Sequence, residues 1–375
     1  MKRPSVSAFS LVTAVLGYKL ATLAVNLWCF PRIEKRKHVQ NNTGDAVIRV
    51  SVLIPVRNEA ENLRMNLPRI LKQDVGGFEV EIIVLDDGST DISPKVAQQL
   101  GKNHPLFKWI KGEPLPAGWV GKNWACHQLY QHARGDLLIF TDADVAWETE
   151  TLHGLVSELR RTHADLLTVW PRQVTRSWGE RLLVPLIDDV LLTLLPYPLV
   201  LMPFSLSSAG NGQLMAFRRP AYEAIGGHRG VAHEVLEDVR LARKIKESGC
   251  RLRLALGGTL LSVQMYSGYR TSVKGFSKNL RSFHANQDGG LVLSALFYLA
   301  AYTLPWIVRP KYWQWLVLMG FLERTLVNIK TGRTDTRDGL EVLLTPTIPI
   351  AALPVYILSL RGSTYTWKGR RYKHN

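Results

Sequence analysis

The chain is poor in cysteine. Cys29, Cys126 and Cys250 are its three cysteines, and they form neither a CxxC spacing nor an even set. This pattern predicts neither a disulfide framework nor a structural zinc site, and it is typical of a protein in a reducing compartment.

Two common nucleotide-binding motifs are also absent. No GxGxxG follows the first predicted strand, which argues against a dinucleotide-dependent oxidoreductase. Gly121 and Lys122 resemble the end of a phosphate-binding loop, but Pro116 stands where that loop requires glycine and Asn123 where it requires Ser or Thr. Walker-type nucleotide hydrolysis is therefore disfavoured, and Lys122 is left as either a partner of bound phosphate or a solvated lysine.

Acidic residues are outnumbered. The 375 residues include 31 Asp and Glu against 47 Lys and Arg, for a net charge of +16. Such a charge suits nucleic acid or anionic lipid as a partner. Because the basic residues flank apolar segments, without alternating exposed aromatics, the pattern favours membrane lipids and argues against nucleic acid.

Long apolar runs lie at both ends of the chain. Residues 6–30 are interrupted by Lys19 alone, and four basic residues follow, namely Arg32, Lys35, Arg36 and Lys37. The run is longer than the apolar core of a cleaved signal peptide, so residues 1–30 are predicted to be a membrane anchor. Because basic residues collect on the cytoplasmic side, residues 31–290 are expected in the cytoplasm, attached to the cell membrane.

Residues 291–360 are predicted to be a second membrane region, with two or three spans among 291–308, 313–329 and 340–360. The middle segment contains Glu323 and Arg324, so it either lies along the interface or buries the pair against a neighbouring helix. The tail, 361–375, has five Lys or Arg and no acid, which predicts a cytoplasmic position and favours two C-terminal spans in a multi-pass protein. The apolar segment 182–204 contains prolines and acids, and it is predicted to lie at the interface rather than in the core.

Residues 46–290 have the pattern of a soluble α/β domain. Apolar runs at 49–55, 80–85, 137–140 and 164–169 predict strands, and a helical stretch beginning near Asn58 joins the first two. Polar clusters follow these strands. Because the ligand crevice of an open parallel sheet lies at the carboxyl ends of its strands, the clusters are expected to form one site.

The first cluster is Asp142 and Asp144, directly after the third predicted strand. Two carboxylates separated by one residue are suited to a hard cation, Mg²⁺ or Mn²⁺, which bridges diphosphate oxygens. The second cluster runs from Asp86 through Asp91. One of its carboxylates can accept a hydrogen bond from a base N–H or a ribose hydroxyl, although a helix-capping role is equally compatible with the sequence. The same two interpretations, contact with a nucleoside or helix capping, apply to the residues at the end of the first strand, namely Pro55, Asn58 and Glu59.

The third cluster is Glu237 and Asp238, at the start of a predicted helix. Acidic residues in a first helical turn interact favourably with the helix dipole, so a structural role has weight. Gly210 and Gly212 precede the cluster, and they are expected to let the backbone approach a bound ligand closely.

In their order along the chain, the segments 51–59, 86–91, 141–144 and 237–238 resemble the inverting family 2 glycosyltransferases, which have a GT-A fold, a mostly parallel Rossmann-like α/β sheet. More narrowly, the N-terminal anchor, the stretch 118–122 and the closing stretch 367–372 resemble the carotenoid- and hopanoid-associated branch. The resemblance implies that Asp87, in preference to Asp86, contacts the nucleoside. It further implies that Asp142 and Asp144 mark the metal site and that Asp238 is the general base, with Glu237 next.

The resemblance also implies the reaction. A nucleotide sugar would donate one sugar to a hydroxyl or carboxyl of a lipophilic acceptor, with inversion; a carotenoid is expected first, and a polyprenyl phosphate or glycerolipid next. The Gln-x-x-Arg-Trp signature of processive synthases is missing after Gln264, which favours transfer of a single sugar. A membrane-bound protein that binds a nucleotide sugar without turnover is the alternative from another class.

Overall fold

The computed structural model describes residues 6–35, 47–284, 286–361 and 364–373. Arg36 and Lys37, part of the basic group predicted to follow the anchor, lie outside the described residues. The strands are β1 (Ile48–Val56), β2 (Phe78–Asp86), β3 (Phe107–Lys111), β4 (Leu137–Thr141), β5 (Val145–Trp147), β6 (Leu166–Trp170), β7 (Arg172–Gln173), β8 (Leu214–Arg218), β9 (Leu252–Leu256), β10 (Leu261–Val263), β11 (Thr364–Trp367) and β12 (Arg370–Lys373).

The α-helices are α1 (Val6–Cys29), α2 (Ala60–Leu71), α3 (Ser93–Gly101), α4 (Gly121–His132), α5 (Thr151–Arg161), α6 (Trp178–Leu183), α7 (Leu186–Leu194), α8 (Tyr197–Leu201), α9 (Arg219–Ala224), α10 (Glu237–Glu247), α11 (Tyr269–Phe283), α12 (Asp288–Tyr298), α13 (Leu304–Val308), α14 (Trp313–Thr331), α15 (Thr336–Glu341) and α16 (Ile348–Arg361). Short 3₁₀ turns occupy Ser205–Ser207, Gly227–Val231 and Val342–Thr347, and a π-helical turn occupies Leu299–Thr303.

The chain forms two compact units that interleave along the sequence. The sheet unit comprises Pro31–Arg172 and Pro198–Val263, and the helical unit comprises Met1–Phe30, Gln173–Tyr197 and Gln264–Asn375. The linear domain ranges inferred from the sequence, 1–30, 46–290, 291–360 and 361–375, stay a prediction.

A seven-stranded sheet organises the sheet unit, with strand order β3-β2-β1-β4-β8-β6-β9. β8 is antiparallel to both of its neighbours, and the other pairs are parallel. β4 and β6 are buried at every position, as expected for strands covered on both faces. The four strands predicted from apolar runs are present, whereas β3, β8 and β9 had not been predicted.

The strand register brings several chain segments to one edge of the sheet. Val56, the last residue of β1, lies opposite Asp86, the last residue of β2. Thr141 at the end of β4 lies opposite Leu214 at the start of the antiparallel β8. The segments that leave β1, β2 and β4 and the segment that enters β8 therefore meet at this edge.

Three helical stretches are long and apolar enough to span a membrane. The first is Phe9–Cys29 in α1, the second is Asp288–Val308, which runs through α12, the π-helical turn and α13, and the third is Thr336–Arg361, which runs through α15, a 3₁₀ turn and α16. α14 is not in this set, which was drawn from the described residues. The set contains the predicted anchor and the two C-terminal segments expected to cross, and it supports association of the chain with a membrane.

Buried ion pairs join the helices of the helical unit. Lys19, inside α1, is fully buried, and its Nζ lies 3.1 Å from Asp189 Oδ2 in α7 and 2.9 Å from Glu323 Oε1 in α14. Tyr302 Oη donates a hydrogen bond to the same Glu323 oxygen. A charge that would be costly in an apolar environment is thus compensated inside the protein.

A second buried cluster surrounds Glu341 in α15. Its carboxylate takes contacts from Arg181 Nη1 at 3.0 Å, Arg324 Nη2 at 3.1 Å and Arg333 Nη2 at 2.5 Å. Of the two alternatives that the sequence left open for Glu323 and Arg324, the structure shows the second, because both side chains are buried and paired with neighbouring helices.

Replacing Lys19 with methionine should destabilise the helical unit. Lys19→Met leaves two buried carboxylates without their cation, and breaking a buried pair in this way costs about 3–5 kcal/mol. Thermal unfolding in detergent micelles measures the loss. Lys311→Met removes an exposed charge and serves as the control; equal midpoints for the two variants would contradict the prediction.

Candidate active site

The loop after β2 is a tight turn made by its own polar residues. Asp86 and Asp87 are buried, and Asp86 Oδ1 accepts a hydrogen bond from Ser89 N at 3.1 Å. Gly88 has a φ of +70°, a conformation that costs glycine little. Asp87 N donates to Val56 O at 2.8 Å, which attaches this turn to the end of β1.

The loop after β1 is bound to the same turn. Asn58 has a φ of 54°, and its Oδ1 accepts hydrogen bonds from Thr90 N at 2.8 Å and Asp91 N at 3.3 Å. Glu59 N donates to Ser93 Oγ at 2.8 Å. These bonds join the two loops to each other. Glu59, the residue before α2, makes no side-chain capping bond; Asp91 Oδ2 instead accepts a hydrogen bond from Ala60 N, at the start of α2, at 3.3 Å. Contacts of Pro55, Asn58 or Glu59 with a nucleoside stay a prediction.

Asp142 and Asp144 lie in the turn between β4 and β5. Asp142 N donates to Gln213 O at 3.0 Å, and Val145 N donates back to Asp142 O at 3.2 Å. Both side chains are half-buried, while Ala143 between them is buried. Among the described residues no group of three or more His, Cys, Asp or Glu side chains is placed to hold a metal ion. The protein could thus supply only part of a coordination shell here.

Lys122, in the first turn of α4, reaches into this turn. Its Nζ lies 3.0 Å from Asp142 Oδ1, 3.1 Å from Asp142 Oδ2, 3.2 Å from Glu237 Oε1 and 3.0 Å from Gly212 O. Burial opposes the charged ammonium, but Asp142 and Glu237 together raise the pKa of Lys122 well above its usual value. One ammonium group therefore connects three segments that are distant in sequence.

Asp238 lies beside this cation at the start of α10. Its Oδ2 accepts a hydrogen bond from Gly212 N at 2.9 Å, and its Oδ1 accepts one from Val239 N at 2.8 Å. Burial, followed by the charge of Glu237, raises the pKa of Asp238 to about 7. A carboxylate with such a pKa can exchange protons near neutral pH.

The two residues Gly210 and Gly212, which precede β8, lie so close to α10 and Lys122 that a side chain would not fit at either position. A Cβ at Gly210 would lie 2.4 Å from Asp238 O, and a Cβ at Gly212 would lie 2.9 Å from Lys122 Nζ and Glu237 Oε1. The sequence predicted a close approach at these glycines but took its partner to be a bound ligand. In the structure the protein itself makes the approach.

Cys126 is a site residue that the sequence did not indicate by any motif. The thiol is buried one helical turn beyond Lys122 on α4. Burial raises its pKa, and the charges of Asp142, Glu237 and Asp87 add to the effect. Cys126 therefore interacts electrostatically with carboxylates from all three acidic clusters, and the four-residue spacing from Lys122 was the available signal.

The structure thus gathers Lys122, Asp142, Gly212, Glu237 and Asp238 in direct contact at the sheet edge. Asp86 and Asp87 end the neighbouring strand β2 at the same edge, and Asp144 lies in the same turn as Asp142. The assembly combines a cation, a pair of acids suited to a hard metal and a carboxylate near its titration point. The specific role of each side chain stays a prediction.

Residues 51–226 match the family model described as Glycosyl transferase family 2. The chain is 27% identical over 248 residues to 4,4'-diaponeurosporenoate glycosyltransferase of Staphylococcus haemolyticus, strain JCSC1435, covering 63% of this chain and 62% of that protein. It is 25% identical over 242 residues to the protein of that name from Staphylococcus aureus, strain USA300, covering 62% and 60%. The chain thus spans less than two thirds of the length of these relatives.

Among solved structures, the fold is similar to that of the mannosyltransferase PcManGT from Pyrobaculum calidifontis, in complex with GDP-Man and Mn²⁺. The TM-score is 0.56 at 18% identity, over 94% of this chain and 98% of that one. The prediction of a GT-A α/β fold from the sequence is confirmed.

Proposed function

We propose that this chain transfers a single sugar from a nucleoside-diphosphate sugar to a lipophilic acceptor, with inversion. The match of residues 51–226 to the family model of glycosyl transferase family 2 supports the proposal. The observation that carries the proposal is that Lys122 contacts both Asp142, in the turn that follows β4, and Glu237 at the start of α10. Asp238 joins the same cluster through Gly212, which Lys122 also contacts. Within one site, Lys122 can bind phosphate, Asp142 can bind a metal ion and Asp238 can accept a proton.

The donor nucleoside is assigned to the loops after β1 and β2. Asp87 is the first candidate for the contact with the base or ribose, followed by Asp86, and Pro55, Asn58 and Glu59 border the same turn. The similar mannosyltransferase was solved with GDP-Man, which supports a nucleotide sugar as the donor class. Lys122 is assigned to the donor diphosphate.

Mg²⁺ or Mn²⁺ is assigned to Asp142 and Asp144. Carboxylate oxygens are the donors that these hard cations prefer, and the turn presents two of them beside a site that already attracts an ammonium ion. When bound, the metal would neutralise charge on the departing diphosphate. The Mn²⁺ in the complex of the similar mannosyltransferase supports the choice of metal.

Asp238 is assigned the role of general base. Its carboxylate takes the proton of the acceptor hydroxyl, the oxygen forms a bond to the anomeric carbon, and the bond from that carbon to the diphosphate breaks on the opposite face. The nucleoside diphosphate leaves with the electron pair. The amides of Gly212 and Val239 hold the carboxylate in place, and Glu237 is the second candidate for the base.

The proposal of a lipophilic acceptor is supported by the candidate membrane helices and by the similar 4,4'-diaponeurosporenoate glycosyltransferases. The sheet unit also exposes large apolar side chains between α8 and α10, with Phe204 60% and Leu206 86% exposed. This segment is suited to the membrane interface, where such an acceptor would be met. A carotenoid with a hydroxyl or carboxyl group is proposed first, and a polyprenyl phosphate or a glycerolipid second.

Lipid extracts test the acceptor class directly. Cells that carry the gene should contain a glycoside that is missing from cells without it, and mass spectrometry identifies both sugar and acceptor. Identical extracts, with the protein present in the membrane fraction, would contradict transfer to a lipophilic acceptor and favour binding without turnover.

Asp238→Asn should separate donor binding from turnover. The amide keeps the size of the side chain but cannot take the hydroxyl proton, so turnover should fall at least about a hundredfold while donor affinity changes little. Steady-state kinetics and equilibrium donor binding measure the two effects. Normal turnover would contradict this role for Asp238, and Glu237→Gln would then be examined.

The rate should depend on pH through the Asp238 carboxylate. The base acts only when deprotonated, and the pKa of Asp238 is about 7, so kcat/KM should increase as pH rises through that value and level off above it. A pH profile of kcat/KM checks this. A rate already constant from pH 5 upward would be inconsistent with the environment described for Asp238.

The catalytic unit is proposed to face the cytoplasm of a multi-pass membrane protein, since nucleotide sugars are made there. α1 and the two C-terminal apolar helices would cross, and the basic tail would lie inside. A cysteine reporter placed beside Lys373 should resist an impermeant thiol reagent in intact cells and react after lysis. Labelling of intact cells would contradict this orientation.

A further inference from the structure

The Lys122 ammonium group occupies a cage of oxygen atoms. Both oxygens of Asp142, one oxygen of Glu237 and the carbonyl of Gly212 lie within 3.0–3.2 Å of Nζ. Carboxylate and carbonyl oxygens are also the ligands that Mg²⁺ and Mn²⁺ take in proteins. In the structure, a lysine thus holds the carboxylate that the proposed function assigns to the metal.

We propose that Lys122 is an exchangeable internal cation that occupies Asp142 until the donor arrives. The donor diphosphate draws the ammonium away and frees Asp142 for the divalent cation, so metal and nucleotide bind together. This inference rests on the proposed function, because it takes the metal site and the donor site from it.

Electrostatics makes the two occupants of Asp142 exclusive. A divalent cation on the carboxylate would face the Lys122 ammonium at a few ångströms, with little water between them. The side chains of Lys122, Asp142, Asp144 and Glu237 carry a net charge of −2 when all are ionised. A dication alone neutralises this charge, and the diphosphate gives the departing ammonium a new anionic partner.

The position of Lys122 allows the exchange. Its side chain has four rotatable bonds, and it begins in the first turn of α4, directly after the loop that contains Gly118, whose φ is +82°. The side chain is 19% exposed, so part of it already contacts solvent. It can move from one anion to another without remaining buried and uncompensated.

A purely structural salt bridge makes a different prediction. If Lys122 served only to join α4, α10 and the turn after β4, its removal would lower stability and would leave the affinity for Mn²⁺ unchanged or weaker. If Lys122 competes with the metal, its removal strengthens Mn²⁺ binding to the unliganded protein.

The test measures Mn²⁺ binding to the full chain in detergent by electron paramagnetic resonance, without nucleotide. Lys122→Met should bind Mn²⁺ at least about tenfold more tightly than the parent, because a competing charge has been removed. Lys102→Met removes an exposed charge in the same unit and should match the parent. Adding Asp142→Asn to Lys122→Met should abolish the gained affinity, which locates the metal.

A second measurement follows the affinity for UDP and GDP with and without Mn²⁺. The parent should gain at least about tenfold in nucleotide affinity from Mn²⁺, and Lys122→Met should gain much less. Lys122→Gln, which keeps a hydrogen-bond donor beside Asp142 and Gly212, replaces the methionine variant if that variant does not fold.

The outcomes separate the inference from the proposed function. Equal Mn²⁺ affinity in the parent and in both Lys122 variants would overturn the exchange and leave the function standing. Absence of Mn²⁺ binding in every variant, with nucleotide present, would overturn the metal site itself and the exchange with it.

Discussion

Lys122 Nζ contacts oxygens from three segments that are remote in sequence: the turn after β4, the glycine segment before β8 and the first turn of α10. Without this cation, Asp142 and Glu237 would be two partly buried carboxylates that repel each other. The same contact positions Asp238, because Gly212 uses its carbonyl for Lys122 and its amide for Asp238. The polar half of the site therefore depends on one ammonium group, and the close packing around it explains the glycines at 210 and 212.

The sheet provides the place where these groups meet. Parallel strands present their carboxyl ends at one edge, so clusters that follow β1, β2 and β4 are brought together by topology. The antiparallel β8 adds a different contribution, because its amino end lies at that edge and delivers Gly212 and Gln213 opposite the turn after β4. A mixed sheet can thus collect residues that lead into a strand as well as residues that leave one.

Buried charges in the helical unit are also paired with opposite charges, here among apolar helices. Lys19, Glu323 and Arg324 interrupt otherwise apolar helices, and each is paired with an opposite charge on a neighbouring helix. Leaving an ionised group unpaired away from water is costly, so each of these charges lies against an opposite charge. The sequence identified these residues as anomalies in apolar segments. Asp189 in α7, the partner of Lys19, lies 170 residues away in the sequence, and Glu341 in α15, the partner of Arg324, lies 17 residues away. Neither separation follows from helical periodicity, so the sequence did not indicate these partners.

The sequence by itself determined the resemblance to family 2 glycosyltransferases, the α/β class, four strands of the main sheet and the residues of the acidic clusters, because these follow from local apolar runs, turn residues and motif spacing. It also indicated that Glu323 and Arg324 required burial against another helix or a place at the interface. Only the tertiary structure decided that Lys122 holds Asp142, that α10 makes the close approach to Gly210 and Gly212, and that the buried Cys126 thiol is affected by the charges of the acids. Each of these facts depends on a contact between segments joined by long stretches of chain. Local sequence carries the preference of a segment for a helix or a strand, but the partner of a charge is chosen by which segments the folded sheet brings within a few ångströms of it.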